Sequence, residues 1–82
     1  MKKIYVNKND SVALIIEKVI KSGEEEIVLY IPRGSDLASS RNNFKLVKRE
    51  AQSAHKVISI ESVDDDVLEL ADSFSIKALN PF

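Results

Sequence analysis

Five consecutive apolar residues, Ile27 to Ile31, stand between two stretches of helical periodicity, and that placement constrains the fold more than any other feature of the chain. A run so short, with three β-branched members, reads as a strand. Lacking any polar alternation, it has the character of a strand buried on both faces, as in parallel sheets. Upstream, Val12, Ile15, Ile16, Val19 and Ile20 recur at helical spacing and form one apolar stripe. Asp10 has the chemistry of its N-cap, and Gly23 stands where a C-cap glycine belongs. Downstream, Pro32 to Asp36 reads as a turn and a long helix follows from about Leu37 to Ala54. Ser40, Phe44, Val47, Ala51 and Ala54 lie on its inner face.

The same alternation continues to the end of the chain. Val57 to Ile60 reads as a third strand, with Ser59 and Glu61 opposite Ile58 and Ile60. Ser62-Val63-Asp64-Asp65 matches a capping box and opens a helix that buries Val67, Leu70, Ala71 and Phe74. Short strands at Lys3–Val6 and Ile76–Leu79 complete a β-α-β-α-β-α-β order. Strands joined by helices run parallel through right-handed crossovers. The expectation is a single α/β domain over residues 1–82, with a four-stranded, mostly parallel sheet amounting to half of a doubly wound, Rossmann-like fold. The second strand reads as interior and the first and last as edges; the full strand order stays open.

Composition removes several function classes. The chain has 82 residues, no cysteine and one histidine, His55. Disulfides, thiolate chemistry and zinc sites built on two or more histidines are therefore excluded. No apolar segment of signal-peptide length follows the N-terminal lysines, and the longest apolar runs, five residues each at Val12 to Ile16 and Ile27 to Ile31, are far short of a membrane span. A cytoplasmic or cytoplasm-facing location is expected. The abrupt tail Asn80-Pro81-Phe82 reads as the edge of a module within a longer protein.

Three places could carry chemistry or binding. In open α/β sheets, ligands sit beyond the carboxyl ends of the strands. There, Pro32-Arg33-Gly34-Ser35 offers a guanidinium, a flexible glycine and a hydroxyl just before a helix, the parts of an anion or nucleotide pocket. The same residues also suit a plain turn, with Gly34 at positive φ and Ser35 or Asp36 capping the helix. Second, the stretch Arg33–Lys56 has six basic and two acidic residues, whereas Val57–Phe82 has one and six. Arg41, Lys45, Lys48 and Arg49 share one flank of the second helix, a stripe that could track RNA phosphates or face the acidic third helix. A net charge of −1 and the lack of interleaved aromatics argue against nucleic acid. Third, Asp64, Asp65 and Asp66 point in different directions on a helix, so they read as dipole-complementing charges and no metal site is assigned.

His55 reads as a helix-end charge. Ser35, Ser39 and Ser40 have no base at a nucleophile spacing, so no catalytic residue is assigned. Leu46, nearly opposite the Phe44 stripe, reads as ordinary exposure or an anchor for a partner.

The segments IVLYIPRGSDLASSRNNFKLVKREA and KVISIESVDDDVLELADSFSIKA resemble a bacterial α/β domain of unassigned activity, met at the start of some envelope-associated and baseplate J-like proteins. Pro32, Arg33, Gly34, Ser35, Asn43, Lys45, Leu46, Leu70 and Ala71 match its pattern, over about two-thirds of the chain. Ser75 departs from it, because that pattern has glycine after the last helix. The resemblance implies a Rossmann-like fold and a module of a larger protein that can be membrane-tethered.

The leading expectation is a non-enzymatic interaction or regulatory module, without cofactor, whose partner is another protein or the rest of the same polypeptide. Small-anion or nucleotide binding at Arg33-Gly34-Ser35, and RNA binding through the basic flank, are the alternatives.

Overall fold

In the computed structural model, which describes residues 1–82, four parallel strands form one sheet in the order β1-β2-β3-β4. The strands are β1 (Lys2–Tyr5), β2 (Glu26–Ile31), β3 (Val57–Ser62) and β4 (Ala78–Leu79). Between them run α1 (Val12–Lys21), α2 (Arg41–Ser53) and α3 (Asp65–Ser73). Each crossover moves one strand in the same direction. Crossovers of one hand then place every helix on the same side of the sheet. The register agrees: Ile4, Leu29, Ile60 and Ala78 lie side by side across the four strands and all belong to, or pack against, the core under the helices. The molecule has two layers, with the opposite sheet face free of helices. The order also never reverses, so no switch-point crevice forms of the kind that holds ligands in doubly wound sheets.

Beneath the helices, Ile27, Leu29 and Ile31 of β2 meet Ile15 and Val19 of α1, Phe44, Val47 and Ala51 of α2, and Val67 and Ala71 of α3, all but fully buried. The stripe expected on α1 is narrower than its spacing suggests, since Ile20 remains 46% exposed. Phe44 is the largest fully buried side chain. On the other side, β2 departs from the expectation of equal burial: Val28 is buried by its neighbours, Tyr30 is half-buried and Glu26 is exposed.

Local chemistry moves several boundaries. Ser11, not Asp10, caps α1, its hydroxyl accepting from the Leu14 N–H at 3.2 Å. Asp10 instead closes the preceding turn, accepting from the Asn7 N–H at 2.9 Å. Gly23 is not the C-cap of α1; Ser22 is, in extended conformation. The single helix expected over Leu37–Ala54 is two pieces, a 3₁₀ turn at Asp36–Ser39 and then α2, with an exposed, extended Ser40 between them (φ −147°, ψ 133°). Serines compete locally with helical hydrogen bonds, and here the Ser39 hydroxyl bonds back to the Asp36 carbonyl at 2.7 Å. Asp64, not Ser62, caps α3. Ser62 ends β3, fully buried, where its hydroxyl donates to the Ile31 carbonyl at 2.7 Å.

Both α2 and α3 end in Schellman turns whose left-handed residue is not glycine. His55 (φ 59°) follows α2, with the Lys56 N–H returning to the Ala51 carbonyl at 2.9 Å. Ser75 (φ 58°) follows α3, with the Ile76 N–H returning to Ala71 at the same distance. His55 therefore has a backbone role at the helix end.

Candidate functional site

The loops at the carboxyl ends of β1, β2 and β3 converge as the fold class requires. Register pairs Ile31 with Ser62, so the turn leaving β2 lies beside the turn leaving β3. Gly34 takes φ +73°, and a Cβ there would meet the Lys8 side chain at 3.5 Å. Its N–H donates to Asp64 Oδ2 at 3.0 Å. The Arg33 guanidinium donates to the Val63 carbonyl at 3.2 Å, and the Asp36 N–H to the Lys8 carbonyl at 2.9 Å. The Ser35 side chain is buried and its hydroxyl accepts from the Leu37 N–H at 3.2 Å. The loop thus has the donors expected of an anion site, and the chain's own carboxylate engages the Gly34 N–H.

Asp64 is the residue that sequence reasoning missed here. Its other oxygen caps α3 through the Asp66 N–H at 3.0 Å. Hydrogen bonding from the Gly34 N–H, more than from Asp66 and Val67 or the charge of Arg33, holds its carboxyl below the usual aspartate range. The signal that could have revealed it is the β2–β3 register, which only a known strand order supplies.

The basic flank of α2 splits in two. Arg41 lies over the Phe74 ring, its guanidinium carbon 5.3 Å from the centroid. The Lys48 ammonium donates to the Phe74 carbonyl at the end of α3. These two cations fasten α2 to the acidic third helix. Lys45 and Arg49 line a shallow hollow with Asn42, Asn43 and Leu46, which is half-exposed and outside the core.

The helix-free face of the sheet is a second unoccupied surface. Register puts Lys3, Val28 and Ser59 in one row and Tyr5, Tyr30, Glu61 and Leu79 in the next. Tyr5 is 64% exposed, Val57 67% and Leu79 47%. Met1, Val28 and Val57 line a hollow of about 210 Å³ at one end, with Glu26 and Lys77 at its rim. Across β2, the Lys3 ammonium reaches Glu61 Oε1 at 2.7 Å. That oxygen is shielded from solvent, with the Lys3 ammonium as its counter-charge. Contact with the Glu61 carboxylate raises the Lys3 pKa above its ordinary value. The same ammonium lies 5.2 Å from the Tyr5 ring centroid and 5.8 Å from that of Tyr30, and the two rings are 5.8 Å apart. Nothing in the sequence marks this surface until the strand order shows which side the helices occupy.

Elsewhere, the serine hydroxyls that form hydrogen bonds do so with backbone groups, and none bonds to a histidine or carboxylate side chain. No helix is long and apolar enough to cross a membrane. No family model, curated protein or solved structure matches the chain.

Proposed function

We propose that this chain is a non-enzymatic protein-interaction module, part of a larger bacterial protein facing the cytoplasm, and that its working surface is the helix-free sheet face. The observation that supports this reading is one bare side on an all-parallel sheet. Such sheets occur almost only with both faces covered, because their strands carry apolar side chains in both directions. Here Tyr5, Val57 and Leu79 stand exposed on a face whose centre, Val28 and Tyr30, is crossed by the Lys3–Glu61 ion pair. Large apolar side chains exposed together on one bare face mark an interaction site more often than the same side chains scattered singly over a surface.

A photo-crosslinking side chain placed at Val57 in living cells tests the reading. Adducts are expected from Val57, with none from the same group placed at Leu14, on the helix layer. Equal yields at the two positions, or none at Val57, count against it.

A further inference from the structure

We propose that the outer edge of β1 takes up an extended acidic peptide as a further strand of the sheet. This rests on the interaction-module reading and adds to the bare face the edge that borders it. The backbone is the first support. In a parallel ladder each residue turns its N–H and C=O to one side, and successive residues alternate. The Val6 N–H donates to the Tyr30 carbonyl at 2.9 Å, so Lys2, Ile4 and Val6 face β2. Lys3 and Tyr5 then direct their N–H and C=O groups away from the sheet, where no further strand lies. The next outward donor, the Asn7 N–H, is taken by Asp10 at 2.9 Å, which closes the free stretch at Tyr5. The opposite edge offers far less. There β4 has two residues, of which only Ala78 faces outward, and Pro81 follows soon after. A row of alternating backbone donors and acceptors is matched by another peptide backbone.

Side chains decide which peptide fits. A hollow of about 720 Å³ lies beside β1 on the helix side, lined by Lys2 and Ile4 and by Glu17, Lys18 and Lys21 of α1. Around it lysines outnumber glutamates four to two, which favours an acidic occupant. Glu17 is already held by Lys21 at 2.8 Å and Lys18 lies 3.5 Å from Asp10, whereas Lys2 has no carboxylate partner. A strand added here sends alternate side chains into this hollow and onto the bare face beside Tyr5. The fitting peptide therefore alternates acidic with apolar residues. Lysine commonly guards an exposed edge, but Lys3 is drawn across the face to Glu61 and leaves this edge open. A second copy is a poor match, because β1 itself would bring two more cations and no carboxylate.

Titration of the full chain with a short capped peptide alternating glutamate and valine, followed by NMR, is the test. Saturable shifts are expected, largest at the Lys3 and Tyr5 amides. Lys2→Glu, confirmed as folded by circular dichroism, should weaken binding about tenfold. Tyr5→Pro removes one outward N–H while keeping the ladder to β2, and should abolish binding. Tyr5→Ala keeps that N–H and should still bind. A peptide with N-methylated backbone amides, or one alternating lysine and valine, should not bind. Absence of a saturable shift up to millimolar peptide overturns the proposal. Equal binding of the N-methylated peptide overturns it too, since charge attraction alone would then account for the shifts. If the edge fails while Val57 still gives adducts in cells, the interaction-module reading stands and only its β1 attachment is lost.

Discussion

The Gly34 N–H and the Asp64 carboxylate meet at 3.0 Å, joining the turn after β2 to the N-cap of α3 across thirty residues of sequence. One carboxylate thereby caps a helix and fills the loop that an external anion would otherwise approach. Asp64→Ala removes acceptors from the Gly34 and Asp66 N–H groups together and should destabilise the chain by about 1–2 kcal/mol. Denaturant midpoints of the two chains measure it. In the natural chain, sulfate should leave the amide signals of Gly34 to Ala38 unmoved, whereas in the Asp64→Ala chain it should shift them. Saturable shifts in the natural chain would show that the loop accepts an external anion beside Asp64.

The same contact sets an acid dependence. The folded-state pKa of Asp64 lies below its unfolded value, so the associated stability is fully present above about pH 4 and is lost as pH falls through the lowered value. Asp64→Asn should flatten the melting-temperature profile below about pH 4 relative to the natural chain. Superimposable acid limbs for the two proteins would show that the carboxylate contributes nothing there.

Phe44 anchors α2 in the core, 1% exposed. Phe44→Ala should cost roughly 3–5 kcal/mol, enough to unfold much of so small a domain. A denaturation midpoint near that of the natural chain would contradict its placement.

What the sequence discloses follows from which interactions are local. The periodicity of Phe44, Val47 and Ala51 finds the buried face of α2, because helical phase is set by neighbours three and four residues away. The unbroken run Ile27–Ile31 finds the interior strand for a similar reason. It cannot say that only one side of that strand lies under helices, since this depends on the direction of three successive crossovers. The bare face with Tyr5, Tyr30 and the Lys3–Glu61 pair was therefore hidden, although each residue is unremarkable on its own strand. Asp64 was hidden by the same kind of gap: its carboxylate reads as a helix-end charge until β2 and β3 are set side by side. The shifted caps at Ser11, Ser22 and Asp64 are a smaller matter, because adjacent capping-type residues compete within one or two positions and local pattern cannot rank them.

Helix ends that use non-glycine residues in the left-handed region carry strain that a substitution can release. His55 and Ser75 both sit there, at φ 59° and 58°. His55→Gly and Ser75→Gly should each raise stability by about 0.5–1 kcal/mol, the relief at positive φ outweighing the greater freedom of glycine in the unfolded chain. Calorimetric melting of the two single variants and the double variant provides the check. A lower melting temperature for either would mean that its side chain makes a contact worth more than the strain.

The two glycines should respond oppositely to alanine, and the contrast isolates backbone conformation from every other effect. Gly23 follows the extended cap Ser22, lies outside the positive-φ region, and has open space where a Cβ would go. Gly23→Ala introduces no clash and restricts only the unfolded chain, so it should stabilise by about 0.4–1 kcal/mol. Gly34 holds φ +73° while presenting its N–H to Asp64. The added methyl would only touch the flexible end of Lys8 at 3.5 Å, so the steric contact is minor and the backbone term decides the outcome. Gly34→Ala should therefore destabilise by about 1 kcal/mol or more. If the turn relaxes to relieve that strain, the Gly34–Asp64 hydrogen bond weakens with it, and the Asp64 pKa should move up towards the ordinary aspartate value. Urea titrations of the two variants, with the Asp64 carboxyl followed by NMR in the Gly34→Ala chain, read both parts of the argument. Equal and small effects at the two positions would show that Gly34 is not constrained by its φ.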